Sequence, residues 1–330
     1  MRVVNVNRLL ALAVAVGVVL GGAAYSQTAK KHAASNALKS ESAGDVVKKE
    51  RGLQFSVFGD WGRGGTNNQA EVARVMALKH VGSFIISAGD NHQVAGVRSV
   101  SDPLWMLNFE SIYNDQSLMV DWYAALGNHD YKGEVQAEID YTKISRRWNM
   151  PDRYYALHKK ISDSIFADFY IIDTSPFQSA YYTSDEHHVA GQDTAKQMRW
   201  IDSCLSYSKS RWKIVVGHHP VYSSGSSHGK ETGDMQARFA ALFEKKGIDA
   251  YFCGHDHDFE YIKPNTGNVN YFVCGTGSEV RPMGTPLPTT VFAKSVPGFT
   301  KVFITWEKMK VTMIDTSGAE IYTTEMLKKI

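Results

Sequence analysis

Five apolar segments of this chain end in a glycine that is followed by a polar side chain, and this pattern restricts the fold more than any other feature. A short apolar segment bounded by glycine is typical of a buried β-strand. The clearest example is the apolar run 248–253, which is followed by Gly254, His255 and His257. The polar residues after the five glycines are Asp60, Asp90, Asn128, His218 and the pair His255 and His257. In open α/β sheets, ligands bind beyond the carboxyl ends of the strands.

The first half of the chain alternates strand and helix patterns. Strands are predicted over 53–58, 83–88 and 122–126, and helices over 67–79 and 104–113. A βαβαβ order predicts parallel strands. The apolar face of the first helix is predicted to consist of Val72, Val75, Met76 and Leu78.

The second half is more varied. A helix is predicted over 137–148, and antiparallel strands over 154–157 and 165–173. The long polar loop 175–191 contains His187 and His188, which we expect to be exposed rather than to bind metal. Helices over 194–205 and 235–245, strands over 212–216 and 248–253, and five further strand-like runs complete the chain. This order predicts two sheets that face each other, with helices outside.

The N-terminal residues have the features of a secretory signal. Arg2 and Arg8 precede an apolar run, and Ala24-Tyr25-Ser26 has the small-x-small form of a cleavage site. We therefore predict a signal peptide over 1–26, a flexible linker over 27–50 and one catalytic domain over 51–330. An uncleaved anchor is the alternative. The signal predicts a periplasmic or secreted protein with no stable membrane partner.

The charge and the cysteine content argue against a nucleic-acid-binding protein and a disulfide-rich protein. The formal net charge is +2, without the clusters of lysine and arginine that nucleic-acid binding requires. The three cysteines, Cys204, Cys253 and Cys274, are too few for a disulfide framework and are expected to be free, buried thiols. The chain is predicted to be a monomer.

The residues after the strands have the chemistry of a metal site. A single Gly-Asp is usually a turn or a helix cap, but five such positions in order are not explained by turns alone. Carboxylates, an amide and imidazoles supply oxygen and nitrogen ligands, whereas a structural zinc site would need thiolates. Two metals about 4 Å apart lower the pKa of a bound water and hold the oxygens of a phosphoryl group. The pattern therefore favours hydrolysis of phosphate esters.

These motifs resemble those of the calcineurin-like metallophosphoesterases, and more narrowly those of the small, tartrate-resistant type of purple acid phosphatase. The motifs are Gly-Asp, Gly-Asp-Asn, Gly-Asn-His-Asp, Val-Val-Gly-His-His-Pro and Gly-His-Asp-His. The likeness extends from about Leu53 to the C-terminus. It implies an α/β fold, a four-layer αββα sandwich of two mixed β-sheets, which agrees with the order of elements.

The resemblance also implies roles for individual residues. Asp60 and His257 would bind the first metal, Asp90 would bridge both metals, and Asn128, His218 and His255 would bind the second. His129 and His228 would be the catalytic residues, in contact with the phosphate or the leaving-group oxygen. The loop that carries His228 is one residue longer than is usual in the family. The cofactors would be two metal ions, Fe, Mn or Zn.

One position departs from the family pattern. The family has Gly-Asp-x-x-Tyr, and the tyrosinate binds ferric iron and gives the purple colour, but here Gln93 occupies the tyrosine position. Gly62 stands where other metallophosphoesterases have a histidine ligand. Gln93, His92 or water would complete the first metal site. We predict a colourless enzyme with two divalent metals.

The predicted function is that of an acid phosphatase-like enzyme, in which a metal-activated hydroxide attacks the phosphorus of a phosphomonoester. One alternative is a phosphodiesterase or nucleotidase that uses the same metals. Another is a non-catalytic secreted protein that binds metal or phosphate. The natural substrate and the pH optimum do not follow from the sequence.

Overall fold

The computed structural model describes residues 51–80, 82–225, 228 and 231–328. The predicted signal peptide and linker lie outside the described residues. Within these ranges, no helix combines the length and apolar character that a membrane crossing requires.

The first sheet contains the strands that open and close the described chain. Its seven strands are β1 (Leu53–Phe58), β2 (Phe84–Ser87), β3 (Asp121–Ala124), β4 (Trp148–Asn149), β12 (Gly298–Ile304), β13 (Lys308–Asp315) and β14 (Glu320–Leu327). Their spatial order is β14-β13-β12-β1-β2-β3-β4. Strands β1 to β4 are parallel, as the alternating pattern predicts, and β12 pairs with β1 in the antiparallel direction.

The second sheet is built from the middle of the chain. Its seven strands are β5 (Tyr155–Ser162), β6 (Ile165–Ile171), β7 (Trp212–Val216), β8 (Ala250–Cys253), β9 (Phe259–Ile262), β10 (Asn270–Cys274) and β11 (Thr290–Lys294). Their order is β11-β9-β10-β8-β7-β6-β5. Strand β5 is antiparallel to β6, as predicted. Strands β6, β7, β8 and β10 are parallel, although the run 269–274 was expected to form an antiparallel strand; it is antiparallel only to β9.

The helices connect the parallel strands. The α-helices are α1 (Gln69–Lys79), α2 (Val135–Tyr141), α3 (Thr194–Tyr207), α4 (Thr232–Met235) and α5 (Ala241–Lys246). Two π-helical segments, Trp105–Glu110 and Gln236–Ala240, lie where the sequence predicts α-helix. The second of these joins α4 to α5.

The two sheets pack face to face through apolar side chains. Phe55 of β1 stacks on Phe84 of β2 at 5.1 Å and meets the edge of Phe169 of β6 at the same distance. Phe252 of β8 also contacts Phe55. A second apolar cluster lies between the outer face of the second sheet and its helices and includes Ile201, Phe239 and Phe243. The four-layer αββα sandwich is therefore confirmed.

Several local predictions were wrong. The helix predicted over 137–148 ends at Tyr141, and Trp148 belongs to a strand. Leu78 is 69% exposed, because it lies on the outer side of α1 rather than with Val72 and Met76 on its buried face. Strand β11 carries no regular apolar alternation and was missed.

All three cysteines are free, as predicted. Cys253 and Cys274 are buried, whereas Cys204 is half-buried.

Candidate metal centre

The loops after five strands meet where the carboxyl edges of the two sheets approach each other. Three of these loops follow β1, β2 and β3 of the first sheet, and two follow β7 and β8 of the second. Hydrogen bonds cross between the sheets at this point. His218 Nδ1 donates to Ala88 O at 2.9 Å, and Gly59 N donates to Cys274 O at 2.9 Å. The topology therefore brings the six predicted metal ligands together.

On one side of this group, three acceptor atoms surround one imidazole nitrogen. His218 Nε2 lies 3.1 Å from Asn128 Oδ1, 3.2 Å from His255 Nδ1 and 3.4 Å from Asp90 Oδ1. His255 Nε2 donates to Glu231 Oε2 at 2.9 Å, so the Nδ1 of this ring presents its lone pair to the group. A single proton on His218 Nε2 can form a good hydrogen bond to only one of these acceptors. A cation at their centre can be bound by all of them.

The electrostatics of the group also favour a cation. Burial by itself would lower the pKa of His218, but the carboxylates of Asp90 and Asp60 raise it above its ordinary value. Burial and the neighbouring histidines hold the pKa of His255 well below the ordinary value, which keeps this ring neutral. Two buried carboxylates thus attract positive charge to a point where neutral imidazole and amide donors converge.

On the other side of the group, Asp60 Oδ1 lies 3.3 Å from His257 Nε2. By geometric criteria, Asp60 Oδ1 is a buried oxygen without a hydrogen-bond partner. Donor atoms of Asp60, Asp90 and His218 all lie within 4.8 Å of one another. Asp90 therefore stands between the two sides, where the resemblance predicts the bridging ligand. The residues present fit two cations.

Backbone strain accompanies this arrangement. Asp60, Asp90 and His255 have φ values of 62°, 51° and 69°, in the left-handed region that side-chain-bearing residues rarely adopt. Such strain persists where the surrounding structure imposes it, often at functional sites. Gly254 permits the close approach of the loops, since a Cβ atom there would lie 2.3 Å from Asp60 Oδ2.

Gln93 lies beside the first-metal side of the group. Its Nε2 donates to Asp90 Oδ2 at 3.3 Å, and its Oε1 accepts from the Arg63 guanidinium at 3.3 Å. His92 lies elsewhere: its buried ring packs edge-on against Trp105 at 4.5 Å, and Asn108 contacts its Nδ1. Of the two side chains that could complete the first metal site, only Gln93 lies beside the group, and it turns its Nε2 rather than its ligating oxygen towards Asp90.

Gly62 cannot be replaced by the histidine ligand of other metallophosphoesterases without moving the backbone. A Cβ atom at Gly62 would lie 2.0 Å from Asn91 O. The absence of a ligand at this position is therefore built into the packing of the two loops.

The two predicted catalytic histidines flank the group. His129 N donates to Asp90 Oδ1 at 2.8 Å, and its Nδ1 donates to Val94 O at 3.2 Å, so Nε2 remains available. His228 Nδ1 donates to Asp256 Oδ1 at 3.0 Å, and its ring lies 4.1 Å from that of His255. Both rings are partly exposed.

Sequence reasoning missed two carboxylates that order the site. Buried Asp130 accepts backbone N–H groups of Gly127, Asn91 and His92 and so ties together the loops that carry Asn128 and Asp90. Its position in the Gly-Asn-His-Asp motif was visible in the sequence, but its role was not assigned. Glu231, which accepts from His255, is three residues beyond His228 and carried no sequence signal.

The remaining histidines near the group have other partners. His219 Nε2 is bonded by the hydroxyl of Tyr181 at 2.9 Å, and its Nδ1 by Thr174 at 2.8 Å. His187 is half-buried and stacks on Tyr181, whereas His188 is exposed. Neither His187 nor His188 joins the metal-capable groups found in the described part of the chain.

The fold and this group of candidate ligands agree with a single protein family. Residues 53–259 match the family model of the calcineurin-like phosphoesterases, and the chain belongs to that family. Its relatives narrow the assignment to the purple acid phosphatases, whose dinuclear metal centre agrees with the two-sided group described above.

The relatives match along most of their length. Tartrate-resistant acid phosphatase type 5 of Oryctolagus cuniculus is 33% identical, over 84% of this chain and 91% of the relative. Purple acid phosphatase 4 of Arabidopsis thaliana is 32% identical, over 84% of each chain. The solved structure of GAP50, described as the anchor in the inner membrane complex of Plasmodium, superimposes with a TM-score of 0.74 at 26% identity, over 85% of this chain and 90% of that one.

Proposed function

We propose that this chain is a phosphatase that hydrolyses phosphomonoesters at a pair of metal ions held by Asp60, Asp90, Asn128, His218, His255 and His257. The observation that carries the proposal is the convergence of Asn128 Oδ1, His255 Nδ1 and Asp90 Oδ1 on His218 Nε2, which a cation would satisfy. A cleft of about 660 Å³ lies beside this group, and His129 and Gln93 are among its lining residues. A small phosphate ester could therefore reach the metals from solvent.

When bound, the two metals would supply an activated water and a clamp on the phosphoryl oxygens. The chain's own residues would do the rest. His129 lines the cleft, and its Nε2, which lies 3.9 Å from Asp90 Oδ2, can bind a phosphoryl oxygen or protonate the leaving group. His228, held by Asp256, is the second candidate for the proton transfer. Asp130 holds the loops of Asp90 and Asn128 together by accepting hydrogen bonds from the backbone of both.

The central test replaces the predicted bridging ligand and one predicted ligand of the second metal. We expect Asp90→Asn and His255→Ala to lower the rate of p-nitrophenyl phosphate hydrolysis at least roughly 100-fold, because each removes a donor aimed at the metals. Circular dichroism should show a folded protein in both cases. Metal content, measured on the purified variants, should fall with activity.

Matched controls exist on the surface. Asp140→Asn breaks an exposed pair with Lys143, and His158→Ala removes an exposed ring paired with Asp168. Both should retain wild-type activity. Full activity in Asp90→Asn and His255→Ala would refute the site.

A phosphodiesterase or nucleotidase on the same residues is the alternative within the enzyme class. Competition between p-nitrophenyl phosphate and its bis-ester separates the two activities. Faster hydrolysis of the bis-ester would replace our proposal with this one.

A non-catalytic role is the second candidate, and Gln93 is the observation that favours it. Its amide is held between Asp90 and Arg63 and leaves the first-metal side with one side-chain ligand fewer than the family pattern. GAP50 is described as the anchor in the inner membrane complex of Plasmodium, so a similar fold also occurs in a protein that is described by an anchoring role. Phosphate release assayed with added Fe, Mn and Zn decides between the roles, since a binding protein would release none.

We also propose that the protein is periplasmic or secreted, on the strength of the signal-like residues 1–26. Mass spectrometry of the native protein should find a mature N-terminus near residue 27. An intact N-terminus in a cytoplasmic fraction would contradict this.

A further inference from the structure

The cleft beside the metal-ligand group contains two arginines that the proposed mechanism does not use. Arg63 and Arg281 both line it, together with His129 and Gln93. Arg63 contacts Gln93, which contacts Asp90. Arg281 contacts His228 through its guanidinium at 3.3 Å, and the ring of His228 lies against that of His255. Each arginine is therefore one side chain away from a predicted metal ligand.

The cationic side chains of this cleft do not all have a carboxylate partner. Arg63 pairs with Glu279 at 2.7 Å, and Lys132 pairs with Glu186 at 2.7 Å. In the described part of the chain, Arg281 has no carboxylate within ion-pair distance, and the hydrogen-bond contacts of its guanidinium are with the ring of His228. Asp185 is the remaining carboxylate in the lining, and it is exposed. Arg281 therefore offers a guanidinium whose charge no neighbour neutralises.

The backbone holds Arg281 in place. Its N–H donates to the carbonyl of the predicted ligand His257 at 3.1 Å, and its own carbonyl accepts from the hydroxyl of Ser295. Arg281 is half-buried, so part of its side-chain entropy is already lost in the free protein. A guanidinium presented in this way suits a phosphate, which it can bind through two parallel hydrogen bonds.

We propose that Arg281, supported by Arg63, forms a second phosphate subsite, and that the chain prefers substrates that carry a second phosphate close to the one that is hydrolysed. This inference rests on the proposed function and names its substrate class. The second phosphate could belong to a diphosphate or to a sugar bisphosphate, because both present the same dianion to the guanidinium.

For an inorganic diphosphate, the reaction is balanced by one water. The water oxygen forms a new bond to one phosphorus, and the bond between that phosphorus and the bridging oxygen breaks. The electron pair of the broken bond leaves with the phosphate that Arg281 holds. The two protons of the water end on the two hydrogenphosphate products. Arg281 would thus offset the charge that develops on the leaving group.

The first measurement is of binding and needs no turnover. Calorimetry on the metal-loaded protein compares methylenediphosphonate, which has two anionic groups, with methylphosphonate, which has one. In the wild type we expect the diphosphonate to bind roughly 30-fold more tightly, the range that one strong charge-assisted contact provides. Arg281→Gln should remove most of this ratio, and Arg281→Lys should restore part of it.

A matched control tests whether any lost arginine has the same effect. Arg238 is exposed on the Gln236–Ala240 segment and does not line the cleft, so Arg238→Gln should leave both affinities unchanged. If Arg281→Gln weakens both ligands equally, Arg281 acts by positioning His228 and the subsite is refuted. An unchanged ratio in Arg281→Gln also refutes it.

The second measurement identifies the source of the second phosphate. The values of kcat/KM for inorganic diphosphate and for fructose 1,6-bisphosphate are each divided by that for p-nitrophenyl phosphate, in the wild type and in Arg281→Gln. A ratio that falls with the mutation identifies the preferred class, and two unchanged ratios overturn the proposal. If the wild type hydrolyses no substrate but still prefers the diphosphonate, the proposed function fails while the subsite stands.

Discussion

Gln93 shows how one side chain can alter the chemistry of a metal site without altering its framework. The family pattern places a tyrosinate here, whereas the amide of Gln93 lies between Arg63 and Asp90. A neutral amide oxygen is a weaker ligand for a ferric ion than an anionic phenolate oxygen. The first-metal side should therefore prefer divalent ions.

The colour of the protein tests this expectation directly. The wild type, loaded with iron in air, should show no visible charge-transfer band, and Gln93→Tyr should acquire one because it restores a phenolate beside Asp90. Absorbance spectra recorded with metal analysis give the answer. Gln93→Phe is the control, since it supplies the ring without the hydroxyl. A purple wild type, or a colourless Gln93→Tyr that contains ferric iron, would contradict the prediction.

At the scale of the element, His80 couples the end of α1 to β1. Its N–H donates to Met76 O at the end of the helix, and its ring Nδ1 is bonded to the hydroxyl of Ser56 at 2.8 Å. Burial lowers the pKa of His80 to about 4, although a backbone hydrogen bond to Gly82 acts in the opposite direction. The folded state therefore resists protonation of this ring.

This shift predicts a pH dependence of stability. The pKa of an unfolded histidine is about 6.5, so as the pH falls from there towards 4 the unfolded state binds a proton that the native state does not. The free energy of unfolding should fall across this range. In His80→Asn, part of that slope should disappear in urea titrations at several pH values. Exposed His188, replaced by Asn, is the control. Equal slopes for His80→Asn and the wild type would count against the assignment.

The elements that the sequence predicted well are those with strong local signals. Strands β1 and β7 match their predicted bounds, because each is a largely buried run that is followed directly by a glycine. The helix predicted over 137–148 failed because residues 142–147 continue an amphipathic pattern but form turns, and Trp148 pairs with Trp122 of β3. Tertiary pairing overrode local propensity there.

The residues of the site also divide into those that have a local sequence signal and those that do not. The six residues predicted as ligands could be singled out because each follows a predicted strand and its glycine, and their convergence in the structure follows from the parallel order of those strands. The contacts of Gln93 with Arg63, of Glu231 with His255 and of Arg281 with His228 join loops that are distant in sequence. Local patterns contain no information about such contacts, so these side chains could be identified only in the folded structure.

At the scale of the whole molecule, the metal-ligand group lies where the two sheets meet. His255 N, on a loop of the second sheet, donates to Asp60 Oδ2, on a loop of the first, at 2.9 Å. Two buried carboxylates, Asp60 and Asp90, stand in this group without a compensating lysine or arginine ion pair among the described residues. Bound cations should therefore link the sheets and stabilise the whole fold.

This coupling predicts that metal removal lowers the melting temperature. A ligand at about 100 times its Kd adds roughly 2.7 kcal/mol to the free energy of unfolding, which for a domain of this size corresponds to a rise in Tm of about 5 °C. Melting curves followed by circular dichroism, with a chelator and then with added Zn or Mn, should show this rise. Asp90→Asn should lose most of it, because the remaining ligands bind metal more weakly, whereas Asp140→Asn should keep it. The same Tm with chelator and with metal in the wild type would mean that the group neither binds cations tightly nor joins the sheets through them.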